Sequence, residues 1–275
     1  MVPSLLIGLR EGLEAALIVG LTLGVLQKMD KNEFKPIIWY GVAAATLISV
    51  FSAVIIQLVG AKLEGRAEEI FEGLTMFLAA AVLTWMIFWM QRMSRQMQKG
   101  LESEVRIAVR QSQTLGLFGI AFFAVLREGI ETALFLSAAA MTASTRESLI
   151  GGLIGIFIAI LLGWALFAST IRLDVQRFFQ VTSVLLIFFA AGLLTHGVHE
   201  FYEAGLIPGL ISPLWDTNTF LNEDSILGKL LKSLFGYNAD PSLTEVITYI
   251  GYFIAITIGI RSLTKKTAVL AEASK

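Results

Sequence analysis

The sequence contains no cysteine and only two histidines, His196 and His199. Without thiols there can be no disulfide framework, thiolate metal site or thiol nucleophile, and two imidazoles exclude a histidine-rich centre. Charge is scarce as well. Only 16% of the 275 residues are charged and 56% are hydrophobic, against about 25% charged in an ordinary soluble domain. Most of the chain therefore does not face water. The formal net charge is −1, and no basic stretch interleaved with aromatics is present, which excludes nucleic acid as a partner. Residues 1–8 lack the basic start of a cleaved signal peptide, so the first apolar segment is expected to remain as a membrane span.

What the sequence has in abundance is apolar runs. A spanning helix needs about 20 mostly apolar residues. The candidates are 3–26, 37–60, 72–91, 115–141, 149–171 and 179–200, followed by the shorter 245–262. Pro36 and Gly60 bracket the second, and Ser242-Leu-Thr-Glu245 is a capping-box pattern that starts the last. The expected fold is an all-α, multi-pass integral membrane protein of seven transmembrane helices, with lipid around it and its termini on opposite sides. Lysine and arginine orient it. One set of connections holds 14 of them, including Lys28, Lys31, Arg95, Arg106, Arg172, Arg177 and Lys275, and the other holds 5. By the positive-inside rule the N-terminus lies outside and the C-terminus inside.

The text Leu9-Arg-Glu-Gly-Leu-Glu-Ala-Ala-Leu17 recurs as Leu126-Arg-Glu-Gly-Ile-Glu-Thr-Ala-Leu134. Weaker echoes are Lys62-Leu-Glu64 with Arg172-Leu-Asp174 and Ala79-Ala-Ala81 with Ala190-Ala-Gly192. The unit is three helices repeated once, with a seventh added. Because three is odd, the copies insert with opposite orientation, and a 3+3 inverted repeat with its site at the repeat interface is a recurring transporter design. The chain reads as a single transmembrane domain. Repeat one covers about 1–91, a cytoplasmic connector 92–114, repeat two 115–200, an outer segment 201–244 and the seventh helix 245–262. Within the outer segment, Ile226, Leu227, Leu230, Leu231, Leu234 and Phe235 form an apolar stripe. It suits either a helix in the membrane interface or one packed on the outer face.

At about 100° per residue, Arg10, Glu11 and Glu14 share one face of the first helix, as Arg127, Glu128 and Glu131 do in the fourth. Gly8, Gly12, Ala16, Gly20 and Gly24 form a small-residue ladder on the other side, with Gly129, Ala133 and Ser137 as its shorter counterpart, and both permit close helix contact. Burying a charge near the bilayer centre costs at least about 2.5–3.5 kcal/mol, and intramembrane ionisable residues mark functional sites. The six motif residues carry two positive and four negative charges, a deficit that a bound cation would neutralise. Carboxylate oxygens suit hard ions such as Fe³⁺, Mn²⁺, Mg²⁺ or Ca²⁺ rather than Cu⁺. The bland alternative is that each i,i+4 pair, Arg10–Glu14 and Arg127–Glu131, is a structural clasp. In the functional reading the arginines orient the carboxylates.

A second acidic group gathers at the outer helix ends: Glu64, Glu68, Glu69 and Glu72, then His199, Glu200 and Glu203. Glu69, Glu72, His199, Glu200 and Glu203 form a candidate entry cluster that would concentrate cations, the alternative being ordinary solvated helix ends. His199-Glu-Phe-Tyr-Glu203 is half of a His-Glu-x-x-His zinc motif without its second histidine. His196 reads as a hydrogen-bonded helix-interior residue.

The chain resembles the high-affinity iron permease family, the oxidase-dependent iron transporters of fungi and their bacterial EfeU-type counterparts, over nearly its whole length. The resemblance rests on Arg10-Glu-Gly-Leu-Glu14, Arg127-Glu-Gly-Ile-Glu131, Glu69-Ile-Phe-Glu-Gly73, Leu83-Thr-Trp-Met-Ile-Phe-Trp89 and Gly197-Val-His-Glu-Phe-Tyr-Glu-Ala-Gly205. It implies a permease rather than an enzyme, with no cofactor and iron as the transported substrate. Glu11, Glu14, Glu128 and Glu131 are the implied ligands. The resemblance further implies Fe³⁺ received from a separate iron-oxidising or iron-delivering partner outside the membrane, and a place in the bacterial inner membrane. Two other readings stand beside it: a proton-coupled carrier of another solute in which the glutamates titrate, and a membrane-embedded metalloenzyme built on His199, Glu200 and Glu203.

Overall fold

The structure is a computed structural model that describes residues 1–93, 96–110, 113–142, 144–168, 174–208, 210–223 and 225–273. Arg95, Arg172 and Lys275 of the charge count, and the Arg172 end of the weaker echo, lie outside the described residues. The described residues form helices and no strand. In chain order these are α1 (Val2–Lys28), a 3-10 turn (Asn32–Phe34), α2 (Lys35–Gly60), α3 (Arg66–Met93), α4 (Gln96–Arg110), α5 (Thr114–Thr142), α6 (Thr145–Ala168), α7 (Val175–Glu203), α8 (Ile226–Phe235) and α9 (Leu243–Ala273).

Each expected span is covered by a long helix over its described residues, and positions 169–171 of the fifth lie outside them. The turn with α2, together with α3, α6, α7 and α9, is long and apolar enough to cross a membrane. α1 and α5 match them in length, at 27 and 29 residues, but each carries three ionisable residues of the repeated motif. Outward-facing side chains such as Leu47, Phe51 and Leu58 of α2 and Leu153, Phe157 and Trp164 of α6 are large, apolar and exposed. Such a surface is stable against lipid and not against water.

The chain divides into two compact units, Met1–Glu64 with Trp89–Leu186, and Gly65–Phe88 with Ile187–Lys275. In the first, α1 packs chiefly on α6 and α2 on α5, while α1 and α5 meet each other. Small residues set these approaches. A Cβ at Gly12 would lie 2.8 Å from the Ala159 Cβ, and one at Gly129 would lie 2.6 Å from the Ser49 Cβ. Higher up the same contacts, a Cβ at Gly41 would lie 3.2 Å from both the Ala121 Cβ and the Phe122 nitrogen. One at Gly151 would lie 3.2 Å from the Ser4 Cβ and 3.3 Å from the Leu5 nitrogen. α5 residues stand 117 positions after their α1 counterparts, and α6 residues 110 after those of α2. These two close contacts therefore occur at equivalent positions in both packed pairs. Residue numbers climb together along both, so each pair runs parallel. The ladder of α1 works from Gly8 to Gly20, whose Cβ would strike the Phe167 ring, and ends there, because nothing lies within 4 Å of a Cβ at Gly24.

The expected connector contains α4, an amphipathic helix. Its Val105, Ala108 and Val109 are buried with Val25 and Leu26 of α1, Ile38 of α2 and Leu117 and Ala121 of α5. Burying such a face is what holds a short polar helix in place.

In the second unit, Gly73 and Gly197 let α3 and α7 approach, and Phe77 stacks on Phe201 at 5.2 Å. α9 is tied to α3 by a Thr84–Tyr252 hydroxyl contact of 2.9 Å. The capping box forms: Ser242 Oγ accepts from the Glu245 N–H, and the Glu245 carboxylate accepts from the Ser242 N–H and Oγ. α8 starts at Ser225, whose Oγ accepts from the Gly228 N–H, and stops at Gly236 with φ 68°. Gly236 also seats against Gly192 of α7. Leu234 of α8 is buried while Ile226 and Leu227 are exposed, so the apolar stripe both packs inward and faces out. Glu223 locks this segment by accepting from Lys232 Nζ at 2.8 Å and from the Ala239 N–H at 2.6 Å. Burial works against its ionisation, but these two donors prevail and hold its carboxyl below the ordinary value.

Candidate functional site

The helical repeat places Arg10, Glu11 and Glu14 on the side of α1 away from α6, and Arg127, Glu128 and Glu131 likewise on α5, where the two helices meet. One carboxylate oxygen each of Glu11, Glu128 and Glu131 lies within 4.8 Å of the others. Three oxygens spread evenly around a small hard cation at about 2.1 Å stand about 3.6 Å apart, so the set must draw in by about 1 Å to grip an ion. Glu11 is wholly buried, and Glu128 nearly so, at 5% side-chain exposure.

The arginines lie beside these carboxylates. Arg10 is 3.6 Å from Glu11 through Nη1 and 3.4 Å from Glu14 through Nε. Arg127 Nε donates to Glu131 Oε1 at 2.9 Å and lies 3.9 Å from Glu128. Glu14, the fourth expected ligand, stands beside Arg10 and is not one of the three grouped oxygens. Both oxygens of Glu11, with Glu14 Oε1, Glu128 Oε2 and Glu131 Oε2, are buried without a hydrogen-bond donor. Leaving charged acceptors buried and unsatisfied is expensive. A bound cation would satisfy several of them at once, and neutral carboxyls would be the other way to relieve the cost. Chemically, the arrangement offers an all-oxygen, net-negative site with no nitrogen or sulfur donor.

The two arginines differ. Arg10 has no exposed side-chain surface, whereas Arg127 is 42% exposed. Their sequence contexts are nearly identical, so the difference lies in tertiary surroundings.

The outer candidates also come together, in the second unit. Glu200 of α7 is within electrostatic range of Glu72 and Glu69 of α3 and of its neighbours His199 and Glu203. His199 contacts Glu245 of α9 through Nδ1 at 3.1 Å and Glu203 through Nε2 at 3.4 Å. Both ring nitrogens thus face carboxylates. Glu245 was absent from the sequence-derived site. It also accepts from Asn238 Nδ2 at 2.8 Å, and only its capping-box role was visible in advance. His196 Nδ1 sits 2.9 Å from the Gly192 carbonyl, the helix-interior hydrogen bond expected of it.

The family model described as the Iron permease FTR1 family matches residues 1–271. A protein named ferrous iron permease EfeU from Escherichia coli O6:K15:H31 is 35% identical over 256 residues, covering 92% of this chain and 93% of its own. A protein of the same name from Yersinia pestis is 34% identical over 260 residues, covering 94% and 92%. No solved structure matches the chain significantly. Such relatives, with the apolar helices above, make this a multi-pass protein of the bacterial cell membrane and a permease rather than an enzyme. The chain belongs to the iron permease FTR1 family.

Proposed function

We propose that this chain carries iron inward across the cytoplasmic membrane, and that Glu11, Glu128 and Glu131 hold the ion in transit with Glu14 as a fourth, exchangeable ligand. The observation that carries the reading is the trio of buried carboxylate oxygens within 4.8 Å of one another, on two helices of the same repeated motif. Family membership and the name of the relatives add that the ion is iron. The all-oxygen donor set favours a hard ion, and the proposed species is Fe³⁺ supplied by a separate oxidising partner. A second reading, Fe²⁺, is favoured by the name of the relatives and by the formal charge of the six motif residues, which a divalent ion would balance.

The proposed topology is seven spans in a 3+3 inverted repeat plus one, N-terminus outside and C-terminus inside. It is supported by the parallel α1–α6 and α2–α5 pairs, since first and fifth spans, and second and fourth, share a direction only if the chain alternates at each crossing. Glu69, Glu72, Glu200 and Glu203, steered by His199, form the proposed entry funnel on the outer side.

The test is uptake of radioactive iron by proteoliposomes, with the metal offered as ascorbate-held Fe²⁺ or as ferric citrate. Glu11→Gln and Glu128→Gln are expected to abolish uptake while the protein inserts and elutes normally. Normal uptake by both variants would sink the site. Uptake of the ferrous form alone would decide for the second reading. A proton-coupled carrier of another solute predicts no iron on the purified protein at all.

A further inference from the structure

We propose that Arg127 is a tethered counter-cation that competes with the transported ion for Glu131, while Arg10 is a fixed clamp, so that the two copies of the motif have diverged into a moving half and a static half. This inference rests on the reading of the carboxylate site given above and deepens it.

The two motifs share residue types and spacing, yet their arginines differ in surroundings. Arg10 is wholly enclosed and lies 3.6 and 3.4 Å from Glu11 and Glu14. A guanidinium without exposed surface has nowhere to go, because turning it out would require α1 to leave its neighbours. Arg127 is 42% exposed and makes one short bond, 2.9 Å to Glu131. It lies 3.9 Å from Glu128, too far for a hydrogen bond. Its long aliphatic stem lets the charged head swing while the helix stays still. The carboxylates the two arginines hold do not differ in this way, since Glu131 is 13% and Glu14 11% exposed, so the contrast lies in the arginines themselves.

Glu131 is the one member of the carboxylate trio that a mobile cation already holds. An arriving metal ion needs that oxygen, and two cations sharing one carboxylate repel each other at these distances. Binding therefore breaks the 2.9 Å Arg127–Glu131 bond and shifts the guanidinium head on its flexible stem, and its return helps to expel the metal. Such a group weakens binding and speeds release. A clamp would instead tighten binding by ordering its carboxylate.

The experiment is iron titration of the purified chain beside iron flux in proteoliposomes, for wild type, Arg127→Gln, Arg127→Lys, Arg10→Gln and Glu128→Gln. Arg127→Gln is expected to bind iron about tenfold more tightly or better, with KM and maximal flux both falling and thermal stability retained. Arg127→Lys, which keeps the charge, should recover much of the flux. Arg10→Gln should lose binding and stability together. Weaker or unchanged binding by a stable Arg127→Gln overturns the inference, as does failure of Arg127→Lys to recover flux. If Arg127→Gln does not fold, Arg127→Lys decides alone, since wild-type-like KM and flux support the charge and loss of both overturns it. Iron binding by wild type that Glu128→Gln abolishes leaves the site intact whatever Arg127 does. No binding by wild type overturns the site and this inference with it.

Discussion

Replacing Gly12 by alanine tests whether close helix contact positions the carboxylates. The new Cβ would stand 2.8 Å from the Ala159 Cβ and 3.4 Å from the Ile156 Cα. Two carbons in comfortable contact lie about 3.5–4.0 Å apart, so α1 and α6 must separate by about 1 Å at this level. Overpacking of that order costs about 1–3 kcal/mol, partly offset by the roughly 1 kcal/mol by which alanine is the better helix former. Gly24 supplies the control, because the same substitution there meets nothing within 4 Å and brings only the helix-forming gain. The difference in unfolding free energy between Gly12→Ala and Gly24→Ala, measured in mixed micelles, isolates the contact at about 1–3 kcal/mol. Adding Ala159→Gly to Gly12→Ala removes the opposing methyl and is expected to return most of the loss as a coupling energy. Glu11 precedes Gly12, and a displacement of about 1 Å can cost up to a hundredfold in rate. Iron flux should therefore fall in the single variant and recover in the double. Gly12→Ala as stable as Gly24→Ala, or a double variant no better than the single, would refute the reasoning.

Glu245→Ala should loosen the start of α9, because it removes the carboxylate half of the capping box together with the partner of His199. The lost acceptor of the Ser242 N–H costs about 1 kcal/mol, visible as faster amide exchange over residues 243–248 with the rest of α9 unchanged. For Glu223, whose folded value is lowered, the sign of the pH effect is fixed by linkage. The stabilisation is complete above the ordinary value of 4.5 and is lost as pH falls from there through the lowered one. Protease cleavage of the outer segment should accordingly rise across that acid window, and Glu223→Gln should abolish the pH dependence by being cleavable throughout.

Helix existence was legible because a bilayer demands long apolar runs, and each of the seven runs became one long helix. The motif was legible because charges in such runs are rare and these recur in register. Partners were not. A repeat reveals that two segments are equivalent but not that α1 would choose α6, the counterpart of its own neighbour α2. That choice rests on Gly12 meeting Ala159, more than 140 residues away. The ladder of small residues overran its use at Gly24 because spacing on one helix says nothing of where its partner departs. Glu245 was read only as a cap since its contact with His199 spans 46 residues. The contrast between Arg10 and Arg127 was invisible in principle, since both sit in the same local text.

The exchange of partners between halves sets a schedule for making the protein. α1 reaches the membrane carrying three ionisable groups whose companions on α5 are 117 residues behind, and the α6 surface that seats its glycines emerges later still. At synthesis rates of about 5–20 residues per second that interval is roughly 6–23 s. During this time the first helix must be sheltered by the insertion machinery, by water or by protonation of its own glutamates. A first half produced alone never reaches the end of that wait. Its α1 and α2 each lack the helix they are shaped for, and supplying the second half as a separate chain should rescue both.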